Sequence, residues 1–96
     1  MDTMALIHPG VHLAEMLEEL GITQYRLART MGVSPRRINE IVHGRRTVTA
    51  DTALRIGKAL GMTPEYWLNL QRVYDLDIAR ASTDLSVIEP LVPVKA

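Results

Sequence analysis

Between Pro35 and His43 the chain places Arg36, Arg37, Asn39 and Glu40 within five consecutive positions. Arginine donates a bidentate pair to O6 and N7 of guanine, asparagine pairs with adenine, and glutamate accepts from N4 of cytosine. Together these side chains can read base edges in a duplex groove. Just downstream, Arg45, Arg46, Thr47 and Thr49 bring two guanidiniums and two hydroxyls into one stretch. That composition suits phosphate oxygens, whose contacts fix register while carrying little sequence information. Ser34 joins them as the residue that opens a helix, whose N-terminus favours an anion. Without a ligand the same residues would be an ordinary solvated surface, so the elements that carry them decide the reading.

Those elements are two short helices around a tight turn. Thr23 is placed to cap the first, its hydroxyl accepting from an otherwise orphaned backbone N–H. Leu27, Ala28 and Met31 then recur at helical spacing, and Gly32 follows the last of them. After Val33 alone, Ser34 and Pro35 restart a helix as N-cap and first helical residue. Ile38, Ile41 and Val42 form its inner stripe and Gly44 ends it, which leaves Arg36, Arg37, Asn39, Glu40 and His43 outside. The spacing predicts a helix-turn-helix whose second helix enters the major groove and reads bases from its N-terminal turns.

The rest of the chain is consistent with one small domain. Its 96 residues are 47% hydrophobic and include no cysteine, so neither a disulfide framework nor a thiolate zinc site is available. No apolar run is long enough to cross a bilayer, and no basic-then-apolar leader is visible. The expected location is the cytoplasm. The net charge of zero hides a division. Residues 23–58 carry eight Lys/Arg against Glu40 and Asp51, a net +6, and the remainder is −6. Such asymmetry predicts a polyanion-binding face and a separate acidic surface.

Residues 1–8 give little signal beyond the MALI run. Pro9 opens a first helix that Gly21 closes, with Leu13, Met16 and Leu17 among its apolar residues and Glu15, Glu18 and Glu19 facing out. His8, His12 and Glu15 have spacings that a metal site could use, but a capping role for His8 is the expectation, and no metal or cofactor is predicted. There is no nucleophile–base pair, acid pair or glycine-rich phosphate loop, so no enzyme is expected. Thr49 caps a fourth helix with Asp51 in its first turn and Ala53, Ile56, Gly57 and Leu60 inside. Gly57 costs that helix about 1 kcal/mol relative to Ala, which predicts close approach of another helix. Thr63 and Pro64 start a fifth helix reaching about Ala81. Its Trp67 is expected to close the core, while Tyr66, Leu70, Val73 and Tyr74 are candidates for a homodimer interface. One recognition helix makes few base contacts, and proteins of this architecture commonly pair over two half-sites. Residues 82–96, apolar but broken by Pro90 and Pro93, form an arm that can fold back, join a second subunit or receive a partner.

The stretch TQYRLARTMGVSPRRINEIVHGRRTVTADTALRIGKALGMTPEYWLNLQ resembles the Xre/Cro-type helix-turn-helix domain. It is more closely similar to the HigA antitoxins of toxin–antitoxin modules, the HigA/VapI group. The match rests on HPG at 8–10, NEIVHGRRTVTADTALR at 39–55 and TPEYWLNLQ at 63–71, and covers roughly residues 6–80. The resemblance implies an all-α, five-helix, lambda-repressor-like domain over residues 9–81 with a short extended C-terminal arm. It also implies a repressor that binds a double-stranded DNA operator in its own promoter and neutralises a small basic, mRNA-cleaving toxin. Gln24 takes from it the role of binding phosphate and buttressing the recognition helix. Two rival readings use the same residues: a stand-alone Xre-type regulator without a toxin, and a protein-interaction module that no longer binds DNA.

Overall fold

The computed structural model describes residues 7–92, which hold five α-helices and no strand. Helix α1 is Pro9–Leu20, α2 Gln24–Met31, α3 Pro35–Val42, α4 Ala50–Leu60 and α5 Pro64–Ser82. Most of the MALI run, together with Pro93 and Val94, lies outside the described residues.

Local chemistry sets most of the boundaries. Thr23, Ser34 and Thr49 each cap the helix that follows, accepting from the backbone N–H of Arg26, Arg37 and Thr52. Gly32 closes α2 at φ 73° and so makes the turn between α2 and α3. Two boundaries differ from the sequence expectation. His43 is the residue that caps α3, and Gly44 follows it with positive φ. Thr63 occupies the N-cap position of α5 with an extended backbone, but its side chain makes no capping bond.

The core lies where α1, α2, α3 and α4 converge beneath α5. Leu13, Leu17, Leu27, Ala28, Met31, Ile38, Ile41, Val48, Ala53 and Ile56 are buried there around a fully enclosed Trp67. Gly57 does meet close backbone, chiefly the turn into α5 and next the Pro64 nitrogen at the start of α5, which a Cβ would approach to 3.3 Å. A Cβ at Gly57 would lie 2.5 Å from the Met62 carbonyl oxygen. Gly10 has a tighter neighbour, since a Cβ there would collide with the Ile41 carbonyl of α3. The HPG triplet thereby acquires a physical role. His8 caps α1 by accepting from the Gly10 N–H at 2.9 Å, Pro9 is buried at the first helical position, and Gly10 lets α1 lie against the end of α3.

Beyond Gln71 helix α5 leaves the core, and the described residues extend over 51 × 21 × 21 Å. Thr83 ends the helix, Leu85–Val87 make one 3-10 turn capped by Asp84, and residues 83–92 are all exposed. The described part of the arm does not fold back onto its own domain.

Candidate nucleic-acid interface

Helix α3 is amphipathic because its two isoleucines, Ile38 and Ile41, are drawn fully into the core. That burial fixes the rotation of the helix and turns Arg36 and Asn39 outward, with Arg37 and Glu40 half-buried at the edges. The Arg36 side chain is 86% exposed. Asn39 donates through Nδ2 to Oε1 of Gln24 at 3.3 Å, so the first residue of α2 braces the middle of α3. This is a direct contact between Gln24 and the predicted recognition helix.

Arg36, Glu40 and Arg46 form one cluster. Glu40 accepts from Arg36 Nε through Oε2 at 3.0 Å and from Arg46 Nε through Oε1 at 2.8 Å. The guanidiniums of Arg46 and Arg36 hold its carboxyl below the ordinary carboxylate range. Both of its oxygens already have a donor, an arrangement the local pattern of α3 did not disclose.

Arg37 points elsewhere. Its Nη1 donates to Asp51 of α4 at 3.4 Å, and Asp51 also accepts from Arg55 Nε at 3.0 Å. Arg55, and secondarily Arg37, keep the Asp51 carboxyl below its usual value. Arg55 in turn donates through Nη1 to the Met31 carbonyl at 2.8 Å, satisfying an acceptor at the end of α2. One short network therefore ties α2, α3 and α4 together.

The stretch from Arg45 to Thr49 leaves α3 with Arg45, Arg46 and Thr47 exposed and Val48 buried. The Thr49 hydroxyl is engaged by its own helix, accepting from Thr52 N and lying 3.2 Å from Thr52 Oγ1. Ser34 is similarly engaged, accepting from Arg37 N at 3.1 Å. The loop is anchored by a residue that sequence reasoning missed. Gln71, buried on α5, accepts from Val48 N at 2.8 Å and donates to Asp75 at 2.9 Å. A polar residue four positions after Trp67, on the same buried face, was the available signal. His8 lies at the other side of this region, edge-on to Tyr74 with ring centroids 5.0 Å apart. Burial lowers its pKa, against opposing pulls from the Arg46 backbone and Asp75.

The four residues expected at a dimer interface are unequally placed. Tyr66 and Val73 are exposed, whereas Leu70 packs against the core and Tyr74 against His8. Leu76 and Ile78, further along α5, are also exposed.

Two capped helices, a one-glycine turn and an arginine-bearing face on the second helix define a helix-turn-helix protein. Residues 13–67 match the helix-turn-helix family. Within it the chain belongs to the HigA family. It is 44% identical to virulence-associated protein I of Dichelobacter nodosus over 94% of this chain and 85% of that protein. An addiction module antidote protein of the HigA family from Coxiella burnetii superposes with a TM-score of 0.83 at 40% identity. That alignment covers 93% of this chain and 98% of the other. Antitoxin HigA from Pseudomonas aeruginosa, solved with the higBA promoter, gives a TM-score of 0.84 at 38% identity over 91% and 99% of the two chains. Both solved relatives are antitoxins and not enzymes. No helix among the described residues is long and apolar enough to cross a membrane.

Proposed function

We propose that this chain is the antitoxin of a HigBA-like type II toxin–antitoxin module and represses its own operon in the cytoplasm as a homodimer. In this reading α3 enters the major groove of a double-stranded operator, and Arg36, Arg37 and Asn39 face base edges beside Glu40. Gln24, Ser34, Arg45, Arg46, Thr47 and Thr49 line the flanking phosphates, through side chains or through the backbone N–H groups of the helix starts they cap. The second subunit is met through α5, with Tyr66 and Val73 exposed for it and Leu70 and Tyr74 behind them. A small basic, mRNA-cleaving toxin is the protein partner, neutralised by complex formation.

The observation that carries the reading is the Arg36 side chain, held outward on the first turn of a helix whose Ile38 and Ile41 are buried. A relative of 38% identity, solved with the higBA promoter, supports the same use of the fold. The test is fluorescence anisotropy with a duplex that the wild-type chain selects from a randomised library. Arg36→Ala and Arg37→Ala should each lose discrimination at one base pair, by about ten-fold or more. Affinity should also fall steeply between low and physiological salt as phosphate contacts release counterions. Unchanged affinity and specificity in both variants, with a flat salt response, would remove the DNA-binding function.

A further inference from the structure

Resting on the DNA-binding reading above, we infer that Glu40 is the positioning residue that sets specificity and does not itself read a base. It clasps Arg36 and Arg46 so that their terminal amino groups arrive in fixed register. The atoms engaged make the case. Glu40 takes the Nε of both guanidiniums, one through each carboxylate oxygen, at 3.0 and 2.8 Å. The Nε donor of each guanidinium is thereby occupied, while the hydrogen bonds to Glu40 leave the fork of two Nη groups unused. An end-on fork can donate a bidentate pair to guanine O6 and N7 or to a phosphate. The Glu40 side chain is only 22% exposed, against 86% for Arg36 and 46% for Arg46, so it sits beneath the two arginines and not in front of them. A carboxylate reaching for cytosine N4 would have to come forward past two guanidiniums that already hold both of its oxygens.

The clasp also joins two kinds of contact. Arg36 belongs to the first turn of α3 and Arg46 to the loop after it, so one carboxylate couples the base-facing residue to the phosphate-facing one. A phosphate contact that fixes register then fixes Arg36 as well. Glu40 carries a cost in affinity, because its negative charge opposes the duplex. Its removal should therefore raise binding to unrelated DNA while blurring the choice of sequence.

The experiment compares wild type, Arg36→Ala, Glu40→Ala, Glu40→Gln and the Arg36→Ala/Glu40→Ala double variant. Each is titrated against the library-selected duplex and its single-base-pair substitutions. A clasp predicts that Glu40→Ala loses discrimination at the same base pair as Arg36→Ala, by about ten-fold. The double variant should be no worse than the worse single one, since residues acting as a unit are not additive. Glu40→Gln, with one acceptor oxygen left, should fall between wild type and Glu40→Ala. If Glu40→Ala does not fold, Glu40→Gln and the amide-region NMR of wild type decide. The Arg36 and Arg46 Nε–H signals should be slowed in exchange with water in wild type, and one of the two should lose that protection in Glu40→Gln. Loss of discrimination at a different base pair, or an additive double variant, overturns the inference and leaves the DNA-binding reading intact. If Arg36→Ala and Arg37→Ala both bind like wild type, the DNA-binding reading falls and the inference falls with it.

Discussion

Substituting Gly10 by alanine tests the packing that holds the recognition helix in place. A Cβ built at Gly10 meets three backbone atoms of α3, namely the Ile41 carbonyl oxygen, the Ile41 carbonyl carbon at 2.7 Å and Val42 Cα at 3.0 Å. Optimal carbon–carbon separation is about 3.5–4.0 Å, and no rotamer change relieves a clash with backbone. Helix α1 has to move away from α3. Overpacking of this kind costs about 1–3 kcal/mol, and a backbone obstacle belongs near the upper end. Against it stands the helix propensity of Ala over Gly, about 1 kcal/mol in a helix interior and less at the second position of α1. The net loss is about 2 kcal/mol. In a domain of this size each kcal/mol shifts Tm by about 4–8 °C, so Gly10→Ala should melt roughly 8–16 °C below wild type. Circular dichroism melts and urea titrations would measure it, with the exposed neighbour Val11→Ala as control, expected within about 0.5 kcal/mol. A Gly10→Ala protein as stable as wild type would refute the close approach of α1 to α3. It would also remove the structural account of the HPG triplet.

Two further outcomes follow from buried polar groups. His8 accepts from Gly10 N through Nδ1 and has its pKa lowered by burial from the ordinary 6.5, so below that value the unfolded chain binds more protons than the folded one. Its contribution is then full above about pH 6.5 and is lost as pH falls through the window beneath it. Urea titrations at about pH 7.5 and 5.5 should show a stability difference that shrinks in His8→Asn, which can cap without titrating; an equal difference in both proteins would refute this. Gln71→Leu strands the Val48 N–H in a buried site and should cost about 1–3 kcal/mol. A loss below about 0.5 kcal/mol would mean that Gln71 does not anchor the loop.

What could be read from the sequence was local in the chain. Thr23, Ser34 and Thr49 cap residues three positions away, and Pro9, Pro35 and Pro64 open their helices through their own fixed φ. The outward turn of Arg36 and Asn39 followed from the spacing of Ile38 and Ile41. Thr63 shows the limit of the same logic, since a suitable residue at the right place still leaves its hydroxyl without a capping bond. What stayed hidden joins residues far apart in sequence. Gly10 against Ile41, Arg55 on the Met31 carbonyl and Gln71 on Val48 depend on how helices are laid together. Periodicity says which face is inward but not which atom on the neighbouring element it will meet. Gly57 lies between the two cases: a cramped backbone was foreseeable, but the Met62 carbonyl as its neighbour was not.

The two arginines at the start of α3, equivalent in the sequence, are separated by the strength of what holds them. Arg37 reaches Asp51 at 3.4 Å, and the Asp51 side chain is 60% exposed. A single exposed pair of this kind contributes little and is screened by salt. Its loss is further offset because Asp51 keeps Arg55 at 3.0 Å. Arg37 can therefore leave Asp51 for a base or phosphate at small cost, and its present position does not remove it from the reading set. Arg36 and Arg46 share a carboxylate that is less exposed and bonded at shorter distance through both oxygens. Releasing either leaves Glu40 with a vacant, half-shielded oxygen. The same face thus combines a weakly held arginine with a clasped pair. Specificity should depend more on the held pair than on Arg37, because a side chain whose position is already fixed penalises the wrong base more.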